Sequence, residues 1–319
     1  MAPLVEHPLI VIAGPTASGK TALALHLAQH FHGEIVSCDS VAVYRGLEIG
    51  SAKPTLSERA FVPHHLIDVF FPDEPCTAGD YSRLAREAIR SISNRGSLPI
   101  VAGGTGLYLR ALIDGLFPAP KRHEPLRAKL RQRAERRGPA YLHRVLARID
   151  PAAANLIHPN DTPKVIRAIE VTLAGRDAIT RQWTQPRDPL TGFRILRLGL
   201  NPPRAELYAR INRRAAEMFD RGLMEETIQL VETYGFECRP LTSLGYAQAI
   251  EVIRGIMTRD EAVAACAQGH RNYAKRQLTW FRKDPQIHWL SGFGSDAETI
   301  AEASRLVAEH IAAQPVPGP

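Results

Sequence analysis

The chain carries a complete phosphate-binding loop close to its N-terminus. Residues 14–21 read Gly-Pro-Thr-Ala-Ser-Gly-Lys-Thr, the pattern G-x-x-x-x-G-K-[ST], and they directly follow a short apolar run at residues 9–13. In the order strand, glycine-rich turn and helix, the N–H groups of the turn converge on one point and the helix adds the positive end of its dipole. The sequence therefore predicts a cradle for a diphosphate or triphosphate group. Its members are Gly14, Pro15, Thr16, Ala17, Ser18, Gly19, Lys20 as the cation, and Thr21 as a hydroxyl ligand for Mg²⁺.

Helix-like and strand-like segments alternate after this phosphate loop, which is typical of an α/β protein. We predict helices at residues 21–31 and 80–93 and buried strands at residues 34–38 and 98–102. The predicted fold is therefore a P-loop-type three-layer α/β core with a parallel sheet.

Candidate site residues follow the two buried strands. Asp39 and Ser40 come directly after the first, and a second glycine turn at residues 103–106 follows the other. Because ligands of open parallel sheets bind at the carboxyl ends of the strands, we expect these residues to share one site with the phosphate loop. An ordinary strand-to-helix connection is the alternative explanation for the second glycine turn.

Composition changes after the Pro118-Ala119-Pro120 segment, which suggests a domain junction. Residues 121–148 contain ten Lys or Arg and two Glu, a net charge of +8 in a chain whose total is +7. Apolar residues with helical spacing lie between these charges. We therefore predict a catalytic core at residues 1–117 and 193–319, and a helical basic insertion at 118–192 that contacts a polyanion. The tail after Gln314 is expected to be disordered.

The remaining composition excludes several classes of protein. The four cysteines, at positions 38, 76, 238 and 266, lack zinc-site spacing and are expected to be reduced thiols. His64 and His65 are adjacent and have no third ligand, so structural polar contacts are preferred over a metal site. The N-terminal apolar run is too short for a signal peptide or membrane helix. We predict a cytoplasmic protein that does not enter a membrane.

The phosphate loop alone is compatible with kinases, ATPases and GTPases. The Asn-Lys-x-Asp signature of GTPases is absent, and no apolar strand ends in the paired acids of an ATPase motor. A small-molecule kinase would bind and use ATP. A nucleic-acid-binding protein that uses phosphate occupancy as a switch would bind RNA tightly and form no covalent product.

Five further motifs follow the phosphate loop in a fixed order, so that the set covers roughly residues 9 to 290. They are Asp39-Ser40 with Tyr44-Arg45-Gly46, Ile49-Gly50-Ser51-Ala52-Lys53-Pro54, His64-His65-Leu66-Ile67-Asp68, Gly103-Gly104-Thr105-Gly106-Leu107-Tyr108, and Ala274-Lys275-Arg276-Gln277 with Trp280-Phe281-Arg282. Together with the phosphate loop, this set closely resembles the bacterial tRNA dimethylallyltransferases, the tRNA isopentenyltransferase family.

The resemblance implies a prenyltransferase. It would transfer a dimethylallyl group from dimethylallyl diphosphate to the exocyclic amine of the adenosine 3′ of the anticodon in tRNA, releasing diphosphate. It would use Mg²⁺ and no nucleotide cofactor, act as a monomer and bind the anticodon stem-loop. Prenylation of free adenine nucleotides is a variant that leaves the basic segment without a role.

The resemblance also implies roles for individual residues. Asp39 would hold the attacking amine or accept its proton, and Lys20, Thr105 and Arg214 would complete the catalytic set. A Mg²⁺ ligand is the alternative role for Asp39, and a solvated helix face is the alternative position for Arg214. Trp280 and Phe281 would suit base stacking, although an aromatic pair in a helix more commonly lies in the core.

The tRNA contacts implied by the resemblance are spread over several segments. This sequence departs from the family at Pro163-Lys164, where Gln-Arg is common, and at Ala42, where Gln is common. The implied contacts are Asp39, Ser40, Val41, Ala42, Thr105, Arg127, Pro163, Lys164, Val165, Ile166, Arg167, Ser243, Gly245 and Tyr246.

Overall fold

The computed structural model describes residues 6–117, 120, 122–175 and 178–313. The chain divides into two compact units, one formed by the residues up to Ile113 together with those from Leu190 onward, and one formed by Asp114–Pro189. The predicted junction residues Pro118 and Ala119, the basic residue Lys121 and the tail from Gln314 lie outside the described residues.

The first unit is built on a six-stranded sheet in which every neighbouring pair of strands is parallel. The strand order is β3-β2-β4-β1-β5-β6. The predicted α/β class with a parallel sheet is thus confirmed. The strands are β1 (His7–Ala13), β2 (Gly33–Cys38), β3 (His64–His65), β4 (Leu98–Gly103), β5 (Phe193–Asn201) and β6 (Ile287–Ser291).

Nine helices accompany the sheet in the described part of this unit. They are α1 (Lys20–His30), α2 (Leu56–Phe61), α3 (Ala78–Asn94) and α4 (Gly106–Ile113), followed after the second unit by α10 (Arg204–Asp220), α11 (Leu223–Tyr234), α12 (Tyr246–Ile253), α13 (Arg259–Phe281) and α14 (Ala297–Ala312). The edge strands β3 and β6 and the helices α2, α4 and α14 are not among the predicted elements. With two residues, β3 is too short to show the alternating pattern of a strand, and in β6 the buried residues are Ile287 and Leu290.

Alternate residues of β1 enter two different cores, which gives the unit its three layers. Leu9 and Val11 pack with residues of α3, α4 and α10–α13 on one face of the sheet. Ile10 and Ile12 pack with α1 and α14 on the other face. Because β1 is buried on both faces and paired on both edges, the phosphate loop that follows it starts from a rigid support.

The second unit consists of helices around its own apolar core, which includes Leu142, Leu146, Val165 and Ile169. Eight of the basic side chains counted above are exposed on this unit, as predicted: Arg122, Lys129, Arg131, Arg133, Arg136, Arg137, Arg144 and Arg148. The helices are α5 (Glu124–Arg137), α6 (Pro139–Ile149), α7 (Pro151–Leu156), α8 (Thr162–Gly175) and α9 (Ile179–Trp183).

The cysteines and the two adjacent histidines have local surroundings that the sequence also addressed. All four cysteines are free and buried. His65 hydrogen-bonds with Glu34 through its Nε2 at 2.7 Å, and His64 with the Val62 carbonyl through its Nδ1 at 2.7 Å. These are the polar contacts predicted for the histidine pair. Within the described ranges, no helix combines the length and apolar character needed to cross a bilayer.

Candidate active site

The phosphate loop connects β1 to α1 in a backbone conformation suited to an anion. Ala17 and Gly19 have φ angles of 63° and 87°, in the left-handed region that favours glycine. Gly19 occupies the position before α1, and glycine has no side chain that could cap this helix. The first N–H groups of α1 are therefore left as donors for a ligand.

Lys20 reaches back across this loop. Its Nζ donates a hydrogen bond to the Pro15 carbonyl at 2.7 Å. Burial, followed by the neighbouring Arg214 guanidinium, lowers the pKa of Lys20 to about 8, although the Asp39 carboxylate opposes the shift. An anionic ligand would stabilise the charged form of Lys20, so the loop with its lysine is better suited to a bound diphosphate than to an empty site.

The ends of β2 and β4 meet beside the loop, as predicted. Asp39 Oδ1 accepts hydrogen bonds from the backbone N–H groups of Val41, at 2.8 Å, and Ala42, at 3.2 Å. The Ser40 N–H donates to Thr105 Oγ1 at 3.1 Å. Among the residues that the structure describes, none donates a hydrogen bond to Asp39 Oδ2. The carboxylate is therefore held by one oxygen and presents the other.

Arg214 lies in this cleft and not on a solvated helix face, the alternative that the sequence left open. Burial lowers the pKa of its guanidinium, and Asp39 again opposes this shift. Its Nε is buried and has no hydrogen-bond partner within the described ranges. A buried cationic donor without a partner is costly unless a ligand supplies the acceptor.

The cleft that these residues line has a volume of about 540 Å³. Five Lys or Arg side chains and three acidic ones line it, so an anion is favoured. Its wall also carries small or apolar side chains, including Ile35, Ile67 and Ala102. The cleft can therefore hold a small apolar group next to an anionic one. The charged lining residues are Lys20, Lys53, Arg210, Arg213, Arg214, Asp39, Glu58 and Glu217.

Several lining residues were not predicted as site residues, among them Arg210, Tyr273 and Gln277. Arg210 lies one helical turn before Arg214, so the i, i+4 spacing could have indicated it. Its guanidinium stacks on the Phe293 ring, with Cζ 3.5 Å from the ring centroid. Gln277 belongs to one of the motifs that carry the resemblance, whereas Tyr273 lies outside them. No local pattern places either residue at the phosphate loop, because α13 is brought to the loop by the fold.

Several predicted contact residues lie elsewhere. Tyr246 is fully buried, donating a hydrogen bond from its hydroxyl to Glu226 at 2.5 Å and accepting one from the Gly50 N–H at 3.2 Å. Ser243 Oγ donates to the Pro240 carbonyl at 2.6 Å in the turn that leads to it. Of the three predicted contacts in this segment, Ser243 is partly accessible, whereas Gly245 and Tyr246 are buried.

Predicted contacts in the helical unit fall into exposed and buried groups. Pro163 and Lys164 are exposed at the start of α8, whereas Val165 and Ile166 belong to the core of the unit. Arg127 and Arg167 both form ion pairs with Glu170 Oε2, at 3.1 Å and 2.6 Å. In the described chain these two arginines therefore have a structural role within the unit.

The aromatic pair on α13 is divided between core and surface. Phe281 is 2% exposed, whereas Trp280 is 41% exposed and lies against the second glycine turn. A Cβ at Gly106 would come within 2.4 Å of the Trp280 ring, so close packing requires glycine there. Of this pair, only Trp280 can offer a stacking surface.

The oxygen ligands available for a metal are those of a hard cation. Thr21, Ser37 and Asp39 line the cleft, and the described residues include no cluster of three or more His, Cys, Asp or Glu that could hold a metal by itself. Mg²⁺ binds in this way, through one or two protein oxygens, waters and substrate phosphates. The donor set thus fits Mg²⁺ bound together with a diphosphate.

Comparison with known proteins agrees with this site. The sequence matches the family model described as IPP transferase over residues 42–284. It is 62% identical over 299 residues to the tRNA dimethylallyltransferase of Koribacter versatilis (strain Ellin345), covering 94% of this chain and 97% of that protein.

Two solved structures are similar as well. The tRNA isopentenylpyrophosphate transferase of Bacillus halodurans has 37% identity and a TM-score of 0.71, with 96% of this chain and 97% of that one covered. A eukaryotic dimethylallyltransferase acting on tRNA has 26% identity and a TM-score of 0.80, with 98% and 81% covered. A phosphate loop, a facing carboxylate and this extent of likeness identify the chain as a member of the IPP transferase family, that of the bacterial tRNA dimethylallyltransferases.

Proposed function

We propose that this chain transfers the dimethylallyl group of dimethylallyl diphosphate to the exocyclic amine of the adenosine 3′ of the anticodon in tRNA. The observation that carries the proposal is that one cleft combines a positively charged binding loop for an anion with the Asp39 carboxylate. That carboxylate is held through its Oδ1 by the Val41 and Ala42 N–H groups. A new bond forms between the amine nitrogen and C1 of the prenyl group. The bond between C1 and the diphosphate oxygen breaks, and its electron pair leaves with the diphosphate.

The phosphate loop, Lys20 and Arg214 would stabilise the leaving diphosphate. Charge builds up on the bridging oxygen as the C–O bond breaks, and fixed cations and N–H groups lower the barrier to that step. The unpartnered Arg214 Nε supports this role because the diphosphate would supply its missing acceptor. Backbone N–H groups of residues 14–21 other than that of Thr16, which donates to Gln277, would bind the other phosphate oxygens.

Asp39 and Thr105 would act on the acceptor base. Asp39 Oδ2 is free to accept a hydrogen bond from the exocyclic amine and then its proton, which the amine must lose after the new bond forms. Thr105 supports the same turn through its bond from Ser40. Holding the amine close to C1 reduces the entropic part of the barrier.

Mg²⁺ would be held by the Thr21 hydroxyl together with the diphosphate oxygens, and when bound it would neutralise charge on the leaving group. Ser37 also lines this part of the cleft. Asp39 is the alternative protein ligand, and its two possible roles are separated by the experiment below.

We assign catalysis to the core at residues 1–117 and 193–319, and tRNA binding to the insertion at residues 118–192. The exposed arginines and lysine of the insertion support this assignment, since phosphate contacts dominate binding to nucleic acids. Pro163 and Lys164 offer an exposed first turn of α8, whereas Val165, Ile166, Arg127 and Arg167 hold that turn and α5 in place. We expect the enzyme to act as a monomer in the cytoplasm on the anticodon stem-loop.

The test is transfer of labelled dimethylallyl from its diphosphate to unmodified tRNA, with the product nucleoside identified by mass spectrometry. Asp39→Asn keeps an oxygen for the Val41 and Ala42 N–H groups and should lose at least about 100-fold in kcat. If Asp39 serves the acceptor, the affinity for inorganic diphosphate with Mg²⁺ stays the same, and if it binds Mg²⁺, that affinity falls. Transfer to ATP, or use of ATP in place of the prenyl donor, would contradict the proposal.

A further inference from the structure

Helix α13 lies against both glycine-rich turns of the cleft. Tyr273 lines the cleft, Gln277 follows one helical turn later, and Trp280 covers Gly106. The spacing of 273, 277 and 280 places these side chains on one face of the helix. One rigid element of 23 residues therefore contacts the phosphate loop and the second glycine turn together.

Gln277 connects the two turns directly. Its Oε1 accepts a hydrogen bond from the Thr16 N–H at 2.8 Å, and its Nε2 donates one to the Gly104 carbonyl at 2.9 Å. The side chain is 5% exposed, so water does not compete for these bonds. Thr16 belongs to the phosphate loop, and Gly104 precedes Thr105 in the turn that supports Ser40.

The Thr16 N–H is committed to Gln277 and therefore positions the loop instead of binding phosphate. A Cβ at Gly104 would lie only 2.1 Å from Gln277 Nε2, so glycine is needed where the turn closes on this amide. The glutamine side chain is long enough to reach both turns, and its amide offers an acceptor to one and a donor to the other. An ionised carboxylate can only accept, and an aliphatic side chain can do neither.

We infer that Gln277 is a positioning residue that sets the distance between the leaving-group loop and the acceptor turn. The inference rests on the proposed function, in which the diphosphate lies on the phosphate loop and the base lies beside Asp39 and Thr105. Gln277 touches neither reacting atom. Its contribution is the relative placement of the two turns, to which a displacement reaction is sensitive.

The experiment compares the full-length protein with Gln277→Leu, Gln277→Glu and the control Gln268→Leu. Gln268 is an exposed glutamine on the same helix, and the hydrogen bonds of its side chain within the described residues go to Arg271 and Asn272 of α13. Thermal unfolding monitors the folded state of each variant. The kcat, the KM for each substrate and the affinity for inorganic diphosphate with Mg²⁺ are then measured from pH 6 to pH 8.

Gln277→Leu should lower kcat by about 10- to 100-fold while the KM for tRNA stays within about twofold, because the geometry of the turns changes and RNA binding does not. At pH 8 the kcat of Gln277→Glu should be as low as that of Gln277→Leu. On acidification to pH 6, the protonated carboxyl of the Gln277→Glu variant could again accept from Thr16 and donate to Gly104, so its kcat relative to the unaltered protein should recover at least about fivefold. Gln277→Leu and Gln268→Leu should show no such recovery.

Activity of Gln277→Leu within about threefold of the unaltered protein, or the lack of any acid recovery in a folded Gln277→Glu protein, would overturn the inference. Diphosphate affinity provides a readout that does not depend on prenyl transfer. If the unaltered protein binds diphosphate but modifies no tRNA, the proposed function fails. The positioning role is then tested by diphosphate affinity alone. It is supported if the affinity drops in Gln277→Leu and recovers with acid in Gln277→Glu, and overturned if it does neither.

Discussion

Thr105 and Ser40 join the ends of two strands through one hydrogen bond, from the Ser40 N–H to Thr105 Oγ1 at 3.1 Å. The Thr105 N–H in turn donates to the Cys38 carbonyl at 3.2 Å. The turns after β2 and β4 are therefore held as one unit beside Asp39. A hydroxyl on the second glycine turn thus controls the position of the carboxylate on the other turn.

Removing this hydroxyl should reduce catalysis without unfolding the protein. Thr105→Val keeps the shape of the side chain but leaves the Ser40 N–H without its acceptor, so we expect kcat to fall about 10- to 100-fold. Thr105→Ser keeps the hydroxyl and should retain most of the activity. Steady-state prenyl transfer to tRNA provides the measurement, and equal activities of the two variants would show that the bond does not matter.

Diphosphate binding should weaken at alkaline pH because of Lys20. The pKa of its ammonium is lowered to about 8, so the charge is present below that pH and is lost as the pH rises through it. Each further pH unit should reduce affinity by up to about tenfold until the pKa of the complex is reached. Calorimetry with inorganic diphosphate and Mg²⁺ measures this from pH 6 to pH 10.

Lys20→Arg is the matched control for that titration, since arginine keeps its charge over this range. Ionisation of diphosphate itself affects both proteins equally, so the difference between the two curves isolates Lys20. Parallel curves would show that the lysine does not titrate in the free site.

The exposed arginines of the helical unit should determine the salt dependence of tRNA binding. Replacing Arg133, Arg136 and Arg144 by Ala should raise the Kd for tRNA and reduce the slope of log Kd against log salt by about 0.7 to 0.9 for each phosphate that is no longer neutralised. The affinity for inorganic diphosphate should not change. Arg83→Ala with Arg305→Ala, on exposed faces of α3 and α14, is the control, and an equal decrease in slope there would exclude a specific basic surface.

Glu170 should be the main electrostatic determinant of stability in the helical unit. It is fully buried, where it accepts a hydrogen bond from the His123 N–H at 2.6 Å and forms ion pairs with Arg127 and Arg167. Glu170→Ala leaves a buried cation uncompensated and should destabilise the unit by about 3 to 5 kcal/mol. Hydrogen exchange at the amides of α8 measures this locally, and the exposed Glu124→Ala should cost less than about 1 kcal/mol.

The stability of the same unit should fall at acidic pH. Burial opposes the charge of Glu170, but the bond from His123 and the cations Arg167 and Arg127 together lower the pKa of its carboxyl below the ordinary 4.5. A lowered pKa contributes stability that is fully present above the unfolded value of 4.5 and is lost as the pH falls through the folded value. Exchange at α8 should therefore accelerate below about pH 4.5 in the unaltered protein, and less so in Glu170→Gln.

Much of the fold and part of the site could be predicted because their signals are local. The phosphate loop is contiguous, with Lys20 and Thr21 at fixed positions in it, and buried strands such as β1 and β4 are continuous apolar runs. Asp39 could be placed from strand order alone, since parallel strands end at one edge of the sheet. The net charge of residues 121–148, which predicts the basic segment, likewise follows from counting residues in the sequence.

Features that depend on distant partners could not be predicted from the residues alone. The edge strand β6 has too few buried residues to show a period, and it is defined by pairing with β5. Whether Tyr246 faces solvent or the core depends on Glu226 and Gly50, which lie on other elements. The position of Arg214 was equally ambiguous, because an arginine on an amphipathic helix can face water or a cleft.

The sequence by itself determined which chemical groups are available, a phosphate loop with its lysine, a carboxylate after the next strand and a basic segment, because each is encoded by neighbours in the chain. Only the tertiary structure decided how they are arranged. The bond between Thr16 and Gln277 joins residues 261 positions apart. No local pattern specifies such a contact, since it exists only when packing brings α13 against the loop.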